Sequence, residues 1–179
     1  MIANILNAIT LSRIFCAILI YLILFLESNY SLALFLFFVA SFSDFLDGYL
    51  ARKTNSVSVL GEILDPIADK LLIVFVLIGL SINLDSFLIG FISAAIISRE
   101  IWVAALRDIN ARNNQSDKTK VTYLAKTKTA IQMFAISMYL VGLTLNNMTI
   151  LFFADIVLVI ALFVTVQTGL QYTISTFKK

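Results

Sequence analysis

Three observations predict an all-α integral membrane fold with six transmembrane helices and both termini in the cytoplasm. The 179 residues are 60% hydrophobic and only 13% charged, a composition suited to lipid rather than water as the main solvent. Six runs, 7–26, 32–51, 62–81, 87–106, 126–145 and 150–172, approach the ~20 apolar residues that a helix needs to cross a bilayer. Among the connections, only alternate ones carry Lys or Arg, as does the C-terminal end, which places those connections and both termini on the inner side.

The first run holds an apolar core from Ile14 to Leu26, with Arg13 as the flanking charge. Glu27-Ser28-Asn29-Tyr30 follow where a cleaved leader would carry small residues, so the run is read as a retained span. The second run ends at Arg52 and Lys53, and RKTNSVSVLG leads into the third. INLDS, free of basic residues, joins the third to the fourth. The longer RDINARNNQSDKTKVTYLA carries Arg107, Arg112, Lys118 and Lys120 into the fifth, where Lys126 and Lys128 follow. NNMT leads to the sixth, and Lys178 and Lys179 end the chain. No connection has room for a soluble domain and no internal repeat is visible, so residues 1–179 are read as a single membrane domain.

The chain has no His and one cysteine, Cys16. His-based catalysis, His metal ligation and disulfides are therefore excluded. Acid–base or metal chemistry must use Asp, Glu, Lys, Tyr or water.

Four aspartates interrupt the apolar pattern. Asp44, Asp47, Gly48 and Ala51 recur at helical spacing on one face of the second run, and Gly61, Asp65 and Asp69 do so on the third. At 1.5 Å per residue, Asp47 lies about 7 Å and Asp44 about 12 Å in from Arg52, while Asp65 and Asp69 lie about 6 and 12 Å in from Gly61. The two helices are thus expected to meet level by level, Asp47 against Asp65 and Asp44 against Asp69, in one cluster near the cytoplasmic surface. An aspartate at mid-helix costs roughly 2.5–3.5 kcal/mol to insert, and like charges add to that. Lys70 and Arg52 do not balance four carboxylates. Two divalent ions do, and an all-oxygen shell suits Mg²⁺ or Mn²⁺. The small residues Gly48, Ala51 and Gly61 leave room beside the carboxylates, for a ligand or for close helix packing.

Written as a pattern, these residues read D-x2-D-G-x2-A-R-x8-G-x3-D-x3-D, from Asp44 to Asp69. The pattern resembles the signature of the CDP-alcohol phosphatidyltransferases at every position, and the six-span hydropathy is similar too. The resemblance implies transfer of a phosphatidyl group from a CDP-linked lipid to an alcohol, with release of CMP. It implies that Asp44, Asp47, Asp65 and Asp69 face the metals and that Asp69 is the general base. Gly48, Ala51, Arg52 and Gly61 would shape the nucleotide pocket.

Two further stretches, SREIWVAALRD (98–108) and AKTKTAIQM (125–133), resemble family members that use glycerol 3-phosphate. NAITLSRI (7–14) does so more loosely. Ala125 stands where Gly is expected, and Leu6 where Pro is usual. The implied reaction joins CDP-diacylglycerol and sn-glycerol 3-phosphate into phosphatidylglycerophosphate. Serine, inositol phosphate and phosphatidylglycerol are the alternative acceptors. Arg99, Arg107, Lys126 and Lys128, at the cytoplasmic ends of the fourth and fifth runs, are candidates to bind the acceptor's phosphate. Glu100 would orient or neutralise Arg99. The same charges also serve topology and contact with anionic lipid.

A cation carrier is the reading of another class, since intramembrane carboxylates also mark ion paths. Carriers place their sites at the midplane between inverted repeats, whereas these carboxylates open to one side only. The expected partners are membrane lipid and the two substrates, with no nucleic acid, and a homodimer is compatible with the reading. Trp102, Phe152 and Phe153 are read as packing or lipid-facing residues, Tyr123 as a core or interface residue, and Asp155 as interfacial.

Overall fold

Each apolar run becomes an α-helix, and most of the helices extend past the apolar residues. The computed structural model describes residues 2–26, 29–54, 59–119 and 123–178, with side chains described over 7–26, 29–44, 61, 63–115, 117–119 and 127–178. The helices are α1 (Ile2–Phe25), α2 (Tyr30–Thr54), α3 (Val59–Asn83), α4 (Phe87–Arg112), α5 (Tyr123–Thr144) and α6 (Met148–Phe177), with one 3₁₀ turn at Ser116–Thr119. Backbone hydrogen bonding does not stop where apolarity stops, so α4 runs to Arg112, held there by an Arg112–Asp108 pair at 2.7 Å.

Among the described residues three helical stretches are long and apolar enough to cross a membrane, Asn7–Phe25, Phe87–Arg112 and Met148–Phe177. The expected set was six. The apolar part of α2 is the shorter Tyr30–Asp44. In α3, Asp65, Asp69 and Lys70 break the apolar run, and in α5 Lys128 does so near its start.

Turn chemistry closes one end of the bundle. Asp85 and Asn146 take left-handed backbone angles, φ 45° and 50°, which Asp and Asn tolerate better than most residues. Ser86 caps α4 by accepting the amide of Ile89, and Asn147 caps α6 by accepting those of Thr149 and Ile150. Nearby, the Asn83 side chain donates to the Leu24 carbonyl at 2.8 Å and to the Tyr30 hydroxyl at 3.3 Å, tying α1, α2 and α3 together.

Helix α1 is central to one half of the bundle. It packs most extensively on α3 and also against α2, whereas among the described residues α2 and α3 touch each other only slightly. Ala17, Ile20 and Leu24 of α1 meet Leu72, Val76, Leu77 and Leu80 of α3 in the core. Gly79 permits this approach: a Cβ there would lie 3.1 Å from Leu24 Cδ1 and 3.4 Å from the Tyr21 Cα. In the other half, α6 packs on α5 and α4. Trp102 Nε1 donates to Thr173 Oγ1 and Asn110 Nδ2 to Thr176 Oγ1, both at 2.9 Å. Asp155, expected at an interface, accepts the buried Tyr139 hydroxyl at 2.5 Å and links α5 to α6. Large apolar side chains such as Phe15, Phe35, Phe91 and Phe163 are exposed on the outside, as a lipid-solvated bundle requires.

Candidate active site

Asp44 and Asp69, expected to face each other, come together on a residue of α1, while the expected meeting of Asp47 with Asp65 lies outside the described residues. Arg13, fully buried, lies between the two helices and pairs with a carboxylate on each. Its Nη1 is 3.0 Å from Asp44 Oδ1 and 2.8 Å from Asp69 Oδ1. One helical turn earlier, Thr10 Oγ1 donates to Asp65 Oδ1 at 2.7 Å. Positions i and i+3 share a face, so a single face of α1 engages three of the four motif aspartates. Asp44 and Asp69 meet on one nitrogen, with 45% and 40% of their side chains still exposed. Arg13 supplies a positive charge that the sequence reading took only as the flank of the apolar core in the first run.

Asp47, Gly48, Ala51 and Arg52 belong to α2, and their side chains lie outside the described residues, as does that of Lys126 in α5. Gly61 lies in the first turn of α3. Among the described residues no group of three or more acidic side chains is close enough to hold one metal ion. The chemistry of the donor set fits a hard divalent cation: aspartate oxygens from two helices, partly exposed, already converge on one cationic nitrogen.

Asp69 also faces the other way. It lines a cavity of about 200 Å³ together with Lys70, Arg99, Glu100, Arg107 and Lys128. Four cations from α3, α4 and α5 thus share a cavity with a motif aspartate. Glu100 is the common partner of three of them. Its Oε1 accepts from Arg99 Nη1 at 2.8 Å and from Lys128 Nζ in a short bond, and its Oε2 is 3.6 Å from Lys70 Nζ.

Helix α6 fixes Arg99. The guanidinium Nε donates to the Thr165 carbonyl at 3.2 Å, and Nη2 donates to Thr168 Oγ1 at 2.9 Å. Gln132 on α5 donates to Thr165 Oγ1 at 3.0 Å, so α4, α5 and α6 form one polar network. Gly169 makes room for it, because a Cβ there would lie 3.1 Å from Arg99 Cγ. Arg99 and Arg107 both stand over the Tyr172 ring, 5.8 and 5.6 Å from its centre, within the range of cation–π attraction.

Sequence reasoning singled out Arg99, Arg107, Lys128 and the aspartates. It passed over Arg13, Thr10, Lys70 as a cavity cation, and Gly169. The available signal for Arg13 was its depth, six residues past the start of the first run and inside an otherwise uncharged helix.

The family model for CDP-alcohol phosphatidyltransferase matches residues 3–167. A Rickettsia bellii protein named CDP-diacylglycerol–glycerol-3-phosphate 3-phosphatidyltransferase is 41% identical over 172 residues, spanning 94% of this chain and 93% of the relative. A Haemophilus influenzae protein of the same name is 37% identical over 147 residues, 82% of this chain and 78% of its own. One from Escherichia coli K12 is 32% identical over 136 residues, 75% of each. With the motif intact and the match running through all six helices, the chain belongs to the CDP-alcohol phosphatidyltransferase family.

Proposed function

We propose that the chain transfers the phosphatidyl group of CDP-diacylglycerol to sn-glycerol 3-phosphate, giving phosphatidylglycerophosphate and CMP. The observation that carries this reading is that Asp69 and the cations Lys70, Arg99, Arg107 and Lys128 line one cavity. The acceptor has a phosphate to be held and a hydroxyl to be deprotonated, and the cavity offers cations for the one and a carboxylate for the other. The names of the relatives support the same pair of substrates.

In this reading the acceptor's phosphate sits among the cations and its free primary hydroxyl points to Asp69. Asp69 takes the hydroxyl proton. The acceptor oxygen then bonds to the lipid-linked phosphorus, and the bond from that phosphorus to the CMP oxygen breaks, its electron pair leaving with CMP. Asp44, Asp47, Asp65 and Asp69 would hold two Mg²⁺ or Mn²⁺ ions, which when bound neutralise charge on the diphosphate. Arg13 and Thr10 orient Asp44, Asp69 and Asp65 from α1. Gly48, Ala51, Arg52 and Gly61 form the nucleotide side of the site.

All six helices cross the membrane in this reading, with α2 and α3 carrying their charged ends at the cytoplasmic surface. Both termini and the active site face the cytoplasm, supported by the basic residues on that side. The test is one assay: purified protein, CDP-diacylglycerol, Mg²⁺ or Mn²⁺, and glycerol 3-phosphate, serine, inositol phosphate or phosphatidylglycerol, following CMP release. Release with glycerol 3-phosphate alone is expected. Preference for serine would assign the chain to another branch of the family.

A further inference from the structure

Glu100 occupies the place among the cavity cations that an incoming anion would take. Its side chain is 17% exposed, and Arg99 and Lys128 beside it are 9% and 8% exposed. Lys70, at 42%, is the more open of the three cations that it contacts. Arg107 lines the same cavity, and Asp69 is the other carboxylate there. The three cations come from three helices, α3, α4 and α5, and Glu100 is what they have in common.

We infer that Glu100 is a specificity-determining residue that competes with a phosphate-bearing ligand for Lys128, Arg99 and Lys70. A phosphate monoester carries close to two negative charges and three strong acceptor oxygens, so it can take over the donors that Glu100 holds. Entry is then an exchange of one anion for another, and neither Arg99 nor Lys128, both largely buried, is left without an anionic partner. A neutral alcohol has no charge with which to displace Glu100. The same competition acts on release, because the product keeps the acceptor's phosphate while the new bond forms at its other end. Glu100 returning to the cations shortens the time for which the product is held.

This rests on the acceptor reading above, but its test is a binding measurement. Inorganic phosphate is titrated into purified protein in detergent with Mg²⁺ by calorimetry, for wild type, Glu100→Gln and Glu100→Asp. Removing one unit charge a few ångströms from the phosphate should tighten binding by about tenfold in Glu100→Gln. Glu100→Asp keeps the charge but withdraws it by one methylene, and should fall between the other two. In turnover with glycerol 3-phosphate, the KM and kcat of Glu100→Gln should both fall, with the KM for CDP-diacylglycerol unchanged. Phosphate binding equal to or weaker than wild type in Glu100→Gln would overturn the inference. If that variant fails to fold, the same result in Glu100→Asp would do so. If phosphate tightens as expected but the enzyme uses an acceptor without a phosphate, the acceptor reading falls and the role of Glu100 as an anion competitor stands.

Discussion

Arg13 on α1 and Asp69 on α3 form an ion pair of 2.8 Å in which the arginine is fully buried. The same nitrogen reaches Asp44 on α2, so the first helix holds the carboxylates of the next two in register. Breaking a fully buried pair costs roughly 3–5 kcal/mol. Both aspartates are partly exposed, so Arg13→Gln should cost less, about 1–2 kcal/mol. Thermal unfolding in detergent measures it. Mn²⁺ should raise the melting temperature of Arg13→Gln more than that of wild type, because the ion supplies the charge that the variant lacks. Equal melting of the two proteins, with and without Mn²⁺, would mean that the pair contributes nothing.

Chelation provides the broader test of the carboxylates. EDTA should abolish CMP release, and Mg²⁺ or Mn²⁺ should restore it. Asp44→Asn, Asp47→Asn and Asp65→Asn should need more metal for the activity that they retain. Asp69→Asn should keep more of its metal affinity, read by Mn²⁺ paramagnetic resonance, yet lose the chemical step. Near-normal turnover by Asp69→Asn would remove its assignment as general base.

Helix number and order were legible because apolar runs of membrane length have few other ways to satisfy their backbone. Helix ends were not, because hydropathy falls at the first charges while the hydrogen bonds of α4 continue to Arg112. Periodicity placed Asp44 and Asp47 on one face and Asp65 and Asp69 on another. It does not say which helix covers a face, and so Arg13 and Thr10 of α1 went unseen. Gly169 was equally silent: its meaning lies in Arg99, a residue of another helix, packed where a Cβ would be.

That contact gives a prediction remote from the carboxylates. Gly169→Val adds a branched side chain where even a Cβ lies 3.1 Å from Arg99 Cγ. Arg99 must then leave the Thr165 carbonyl and Thr168 Oγ1. Charge-assisted hydrogen bonds contribute about 1.5–3 kcal/mol each, so the KM for glycerol 3-phosphate should rise by tenfold or more. The KM for CDP-diacylglycerol should stay within about twofold, well below the tenfold that 1.4 kcal/mol represents. A rise confined to the lipid substrate would place Arg99 on the donor side of the site.

The cavity cations should divide by how much of each is already committed to the protein. Arg99 gives Nε, Nη1 and Nη2 to Thr165, Glu100 and Thr168. Arg99→Gln therefore removes cross-helix bonds as well as charge, and should lower the melting temperature along with acceptor affinity. Lys128 is buried against Glu100, and Lys128→Gln should behave likewise, leaving Glu100 with fewer partners. Arg107 is exposed and rests on Tyr172, so its charge has the freest reach into the cavity. Arg107→Gln should leave stability unchanged while raising the KM for glycerol 3-phosphate by about ten- to a hundredfold, the effect of one lost charge-assisted phosphate contact. Lys126→Gln tests the remaining candidate in the same assay. Should Arg107→Gln and Lys126→Gln both keep the wild-type KM, the phosphate would have to be held by Lys70, Arg99 and Lys128 alone, the three cations that Glu100 contacts.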